Sequence, residues 1–276
     1  MIMTMTIMKK LLSTPVTILS CLLLCSSLCF SAAIIQSNDG GNASGSFSTG
    51  GTLTTTAVGF SSATASGNTL YMPVWIREES SNADCAINPS TGITITTSGF
   101  TWTAAPTYNA FADSATETHC GLIKYYYIVG AASMPTSTTT TIAVAVPSGE
   151  HCTCSIEFAL YEISGVSAFL NDNGTPPPND TGTASTPECN TTVSGTEIYF
   201  CNLIGYPGSN LTAASGYTIG VNATVATIGQ MSYDLAVTGT TNPNYSGTLT
   251  LWATFAAAFS LSSSPASVPR HRGFVN

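Results

Sequence analysis

Charge is scarce in this 276-residue chain: Lys and Arg together number 6, Asp and Glu 14, and charged residues make up 7% of the whole. So few cations exclude nucleic-acid binding, because tracking phosphates needs clustered Lys or Arg. Charge-rich disorder and coiled coils are excluded on the same ground. Histidine is almost absent, with only His119, His151 and His271, which leaves little material for a Ser-His-Asp triad. No G-x-S-x-G elbow, phosphate loop or dinucleotide fingerprint occurs. Beyond the N-terminus no window holds an apolar stripe at helical spacing with caps, and no repeat of fixed period stands out.

What fills the chain instead is hydroxyl: Ser and Thr together number 77, against a hydrophobic fraction of 43%. Residues 1–33 read as a secretory signal peptide. Lys9 and Lys10 precede an apolar run from Leu11 to Phe30, and Ser31 and Ala33 supply the small residues of a cleavage site. A retained membrane anchor needs about 20 unbroken apolar residues, and this run is broken by serines. The product expected after cleavage carries 14 acids and only four bases, Arg77, Lys124, Arg270 and Arg272, for a net charge of −10. Its expected location is extracellular or at the cell surface, with no membrane span and no cofactor.

Six cysteines follow the signal: Cys85, Cys120, Cys152, Cys154, Cys189 and Cys201. An even number in an oxidising compartment reads as three disulfides, with 15 connectivities open. The expected pairing joins Cys85 with Cys120. Cys189 and Cys201 bond either each other or the Cys152/Cys154 pair. Cys152 and Cys154 stand two apart on a strand, an arrangement that seldom closes on itself without distortion.

Alternation of period two dominates the remainder. Leu70, Met72, Val74 and Ile76 share one face, with Tyr71, Pro73, Trp75 and Arg77 opposite, and Pro73 suggests an edge or a bulge. Similar patterns run through 141–146, 156–161, 197–201 and 248–259, and weaker ones at 53–60, 93–97, 100–103, 122–129, 217–221 and 231–237. About ten strands of this kind predict an all-β fold, a two-sheet antiparallel sandwich of jelly-roll type. The predicted organisation is a flexible Gly/Ser/Asn lead-in over 34–51, one sandwich domain over 52–260 containing a long Pro-rich loop at 171–187, and a disordered tail over 261–276.

Three groups of residues invite chemistry. His119 and His151 beside Cys120, Cys152 and Cys154 offer imidazole and thiolate ligands suited to zinc or copper, but export favours oxidised cysteines and no metal. Glu157 and Glu162 are the best acids for glycoside hydrolysis. Their odd spacing places them on opposite faces of a strand, about 16 Å apart, and Glu162 reads better as the end of a strand held by a local hydrogen bond. Trp75, Trp102, Tyr125, Tyr127 and Trp252 could stack on sugar rings if exposed in a row, or pair across strands as sheet stabilisers. The Thr-x-Thr units at Thr94/Thr96 and Thr248/Thr250 and the run Thr138 to Thr141 predict cross-strand Thr ladders. Seven N-x-S/T sequons begin at Asn42, Asn173, Asn179, Asn190, Asn210, Asn222 and Asn244.

The strand entry Ser66-Gly67-Asn68-Thr69-Leu70, the segment Gly99-Phe100-Thr101-Trp102-Thr103, the run from Ile156 to Val166 and a late strand ending Ala253-Thr254-Phe255 resemble a loose set of uncharacterised secreted bacterial β-sandwich proteins. In that set a G-N-x-L entry and an E-Y-S-G-hydrophobic segment recur in this order, and Ile163 stands here in the place of the Tyr. The resemblance spans most of residues 50 to 260. It implies a jelly-roll-like sandwich and carries no activity or site residue with it. The function expected is that of a non-catalytic structural, adhesion or binding module, whose partner would be an extracellular glycan or a surface protein. A carbohydrate-binding domain is the first alternative and a secreted glycoside hydrolase the second.

Overall fold

Two strands that bury both faces set the architecture. A computed structural model describes residues 32–79, 87, 91–112, 119–171, 187, 189, 191–206, 211–222, 229–241, 245–246, 249 and 251–262, and the signal peptide through Ser31, the Pro-rich loop and the tail beyond Ser262 lie outside them. In chain order the strands are β1 (Ala33–Phe47), β2 (Gly51–Thr54), β3 (Thr69–Glu79), β4 (Ile93–Thr97), β5 (Thr103–Ala104), β6 (Asn109–Ala112), β7 (His119–Ile128), β8 (Thr140–Val146), β9 (Cys152–Ser164), β10 (Val166–Asn171), β11 (Thr191–Tyr206), β12 (Thr218–Asn222), β13 (Gly229–Thr241) and β14 (Leu251–Leu261). Every pairing is antiparallel, and no helix occurs among the described residues. The all-β antiparallel class read from the alternation is therefore the class observed.

The layers number three, where two were expected. A central sheet runs β1-β9-β3-β7-β5, with β6 also on β7; a five-stranded sheet runs β10-β14-β11-β13-β12; a three-stranded sheet runs β2-β8-β4. In β3 every residue from Thr69 to Ile76 is buried, and in β9 every residue from Ile156 to Ile163. A strand covered on both sides reads as a continuous buried run. Leu70, Met72, Val74, Ile76, Ile156, Phe158 and Leu160 pack against Leu53, Ile142 and Val144 of the three-stranded sheet. Tyr71, Trp75, Ala159, Tyr161 and Ile163 pack against Ile198, Phe200, Met231, Phe255 and Phe259 of the five-stranded sheet. The face given to Tyr71 and Trp75 is thus a second core, and a second covering sheet is needed to close it.

Pro73 lies in a central strand, not at an edge. Its pairing with Tyr125 of β7 is continuous with its neighbours, whereas the β9 ladder passes from Tyr71↔Tyr161 to Val74↔Phe158 without Met72 or Pro73. Proline has no N–H to give, and the missing rungs fall where that donor is absent.

The lead-in also differs from expectation. Residues 33–47 form the long strand β1, paired with β9 from Ala33↔Ser164 to Phe47↔Cys152. Its Gly/Ser/Asn composition has little to bury, but β9 supplies a backbone ladder and the glycines supply room. A Cβ on Gly41 would stand 2.0 Å from the Phe158 ring. The outer edge of β1 is capped by the following segment: Thr56 donates its N–H to the Asn42 carbonyl, and Asn38 Nδ2 donates to the Gly59 carbonyl. These contacts cover part of an edge that would otherwise offer a template to another chain. Of the expected ladder residues, Thr96 pairs with Thr141 across β4 and β8, and beside them Thr97 Oγ1, outside the expected units, lies 2.8 Å from Thr140 Oγ1; Thr248 and Thr250 lie outside the described residues.

Candidate functional site

Disulfides hold the cysteines considered as metal ligands. Cys189 bonds Cys201, with Cα atoms 5.8 Å apart. Cys152 bonds Cys154, against expectation, with Cα atoms 5.6 Å apart. Two residues of extended strand span about 6.6 Å, so β9 contracts at its start to close the ring. Cys120 is also disulfide-bonded, and Cys85 lies outside the described residues. The three cysteines of that alternative, Cys120, Cys152 and Cys154, are disulfide-bonded in this structure. His119 lies tilted against Tyr206 with ring centroids 3.9 Å apart, and His151 is half-buried just before β9. Among the described residues no group of three or more His, Cys, Asp or Glu is placed to hold a metal.

The five aromatics considered for sugar stacking are distributed over three different cores. Trp75 and Tyr125 are fully buried between the central and five-stranded sheets. Tyr125 donates its hydroxyl to the Ala256 carbonyl at 3.1 Å. Tyr127, half-buried in the same layer, stacks on Phe169 at 4.4 Å. Trp102 packs on the opposite side of the central sheet and donates Nε1 to Thr97 Oγ1 at 3.0 Å. Trp252 packs against the outer face of the five-stranded sheet. These five rings share no exposed row; alternation put them on the face opposite the aliphatics, and that face is itself covered.

The two acids of β9 lie on opposite faces, as their spacing required. Glu162 shares the parity of Phe158 and Leu160 and is a satisfied acceptor. Gln36 Nε2 donates to Oε2 at 2.6 Å, and the Ala65 N–H and Asn68 Nδ2 each donate to Oε1 at 2.7 Å. It ties β1 and the Thr64–Asn68 turn to the end of β9.

Glu157 has a different environment. It pairs with Trp75 across to β3 and with Asn42 across to β1, shares the parity of Ala159 and Tyr161, and is 5% exposed. Its Oε2 is enclosed without a hydrogen-bond partner, as are Trp75 Nε1 and Tyr161 OH on the same face. Burial first, and then the negative charge of Asp39, push the Glu157 carboxyl up to about 8. Tyr161 is likewise held well above the usual phenol range, first by burial and then by Asp39. Asp39 reaches both because β1 is irregular at this point: its register against β9 breaks between Asn38↔Leu160 and Gly41↔Phe158, and Asp39 with Gly40 forms the exposed bulge. A buried acid held toward its protonated form beneath an exposed carboxylate is a perturbed arrangement of the kind that marks candidate sites.

Opposite these side chains the five-stranded sheet presents glycine. A Cβ on Gly229 would stand 2.2 Å from the Trp75 indole, and one on Gly220 would stand 2.9 Å from Tyr161 OH. Deeper in the layer Asn202 is fully buried, and its Nδ2 donates to Tyr71 OH and to the Phe255 carbonyl, each at 2.8 Å. Sequence reasoning singled out Glu157 and Trp75 but missed Asp39 and Asn202. The Gly/Ser/Asn composition around Asp39 reads as a turn, and no sequence signal marks the long-range contact of Asn202 with Tyr71.

Comparison with known proteins finds no family model, curated protein or solved structure that matches the chain.

Proposed function

We propose that the chain is an exported, non-catalytic β-sandwich that serves as a structural or adhesion module. The observation that carries this reading is the use of its reactive side chains as internal fastenings. Glu162 is saturated by three donors, Tyr125 and Tyr71 are engaged inside the interlayer core, and the Cys152–Cys154 and Cys189–Cys201 bridges are closed over short stretches of chain. Glu157 is buried with Oε2 enclosed, which restricts a substrate's access to that acid. Oxidised cysteines accord with an oxidising compartment.

The test is to assay the purified, oxidised chain against a panel of glycosidic and ester substrates and, in parallel, for adhesion to immobilised glycans and extracellular proteins. The expected result is no turnover, with adhesion that survives Glu157→Gln. Turnover abolished by Glu157→Gln and Asp39→Asn would replace this reading with a hydrolase. Glycan binding abolished by Trp102→Ala or Trp252→Ala would replace it with a carbohydrate-binding domain.

A further inference from the structure

We propose that Glu157 is a proton-operated clamp between the central and five-stranded sheets: with its proton it remains in the interlayer core, and without it the sheets part around β9 and β13. Solvation sets the constraint. An ionised carboxylate in an apolar layer is costly unless hydrogen-bonded or paired, and a group so placed keeps its proton or moves to water. Glu157 is buried, with Oε2 unpartnered.

The neighbouring charges do not relieve it. From β1 the nearest charge is that of Asp39, which repels. From β3, Arg77 is ion-paired with Glu79 and lies over the Tyr206 ring of β11 at 5.5 Å. From β9 and β13 the titratable groups on this face are Tyr161 and Tyr233, phenols that cannot supply a positive charge. β12 has no titratable residue. Burial and Asp39 hold the carboxyl at about 8, within reach of ordinary alkaline conditions.

The route by which the clamp opens is set by packing. Glu157 stands beside Trp75, and Trp75 rests on bare Gly229 at the start of β13. A carboxylate leaving the layer for water, and repelled by Asp39 on the β1 side, turns the β9 face outward and lifts the indole from Gly229. The contact released is the one between β9, β3 and β13. On the other side of β9 the carboxylate of Glu162 already has its donors, so that layer has no comparable reason to open.

The sign follows from proton counting. A carboxyl whose pKa is raised in the folded state from 4.5 to about 8 binds more protons folded than unfolded between those values. Stability is therefore full below the lower value and declines as pH rises to the upper one. The experiment is denaturant unfolding of the oxidised full chain from about pH 5 to about pH 9, with hydrogen exchange of β9 and β13 and carbon NMR of the glutamate side-chain carboxyls.

The expected native result is an unfolding constant that rises by up to about tenfold per pH unit across this window and then levels. Exchange should accelerate in β9 and β13 ahead of β8. Glu157→Gln removes that slope, and Asp39→Asn moves its upper end to lower pH. A slope unchanged in Glu157→Gln, or a Glu157 carboxyl titrating at the ordinary value, overturns the proposal. If Glu157→Gln does not fold, the native carboxyl titration and the Asp39→Asn shift decide it alone.

Discussion

The two faces of β3 and β9 are built from the same strands in different materials. Toward the three-stranded sheet lie Leu70, Met72, Val74, Ile156, Phe158 and Leu160, and the carboxylate of that parity, Glu162, has three donors. Toward the five-stranded sheet lie rings: Tyr71 stacks on Phe200 at 4.5 Å and meets Phe259 edge-on at 5.7 Å, and Tyr125 lies 4.6 Å from Phe255. In that aromatic layer Trp75 Nε1, Glu157 Oε2, Tyr161 OH and Asn202 Oδ1 are enclosed without partners. An aliphatic layer derives its strength from area and close packing alone. The aromatic layer adds ring contacts of about 0.5–1.5 kcal/mol each, but its unpartnered polar atoms each oppose folding by about 1–3 kcal/mol. One face fixes the fold, and the other makes it responsive.

The comparison breaks most decisively at Phe158. Its ring is fully buried in the aliphatic layer and fills the space left by Gly41. Phe158→Ala is expected to destabilise by about 3–5 kcal/mol in denaturant unfolding, with the same loss at low and high pH. A loss that changed markedly across the Glu157 window would show the two layers to be coupled rather than independent.

Next in size are two disulfides, one in the aliphatic layer and one outside both layers. Cys189–Cys201 spans 12 positions of sequence on the outer face of the five-stranded sheet, where Tyr199 and Tyr245 donate hydroxyls to the Cys189 and Cys201 carbonyls. Replacing both cysteines by Ala removes about 3 kcal/mol of chain-entropy stabilisation, whereas the loop-length relation gives roughly half that for the two-residue closure of Cys152–Cys154. Melting of the two double variants under non-reducing conditions should rank them in that order. Equal losses would mean that contraction of β9, not loop closure, governs the shorter bridge.

The aliphatic face was legible and the aromatic one was not, for a physical reason. In β3, β4, β8 and β9 one face is mainly aliphatic, so alternation alone locates the strand and its inward side. Tyr, Trp and Glu on the second face are equally at home in water, and only a sheet contributed by residues 166–261, far along the chain, turns them inward. β1 reads as a flexible lead-in because Asn38-Asp39-Gly40-Gly41 carries turn chemistry; pairing with β9 overrides local preference and makes the same residues a bulge. Asp39 was lost to the site with it. The spacing of Glu157 and Glu162 survived intact, since opposite parity on one strand does not depend on what covers it.

The smallest predicted effect tests the aromatic layer from within. Tyr71 and Tyr161 are paired across β3 and β9, with ring centroids 6.3 Å apart, and both are buried. Their hydroxyls differ: Tyr71 accepts from Asn202 Nδ2, whereas Tyr161 OH has no partner. Removing the Tyr71 hydroxyl leaves a buried amide donor with only the Phe255 carbonyl, so Tyr71→Phe should destabilise by about 1 kcal/mol. Tyr161→Phe removes a desolvated group that gains nothing in the folded state and should be neutral or stabilising by up to about 1 kcal/mol. The difference between the two variants, measured side by side at a pH below the Glu157 window, isolates the hydrogen bond from the ring. If Tyr161→Phe is the more damaging of the two, its hydroxyl is anchored after all, and the aromatic layer is as fully satisfied as the aliphatic one.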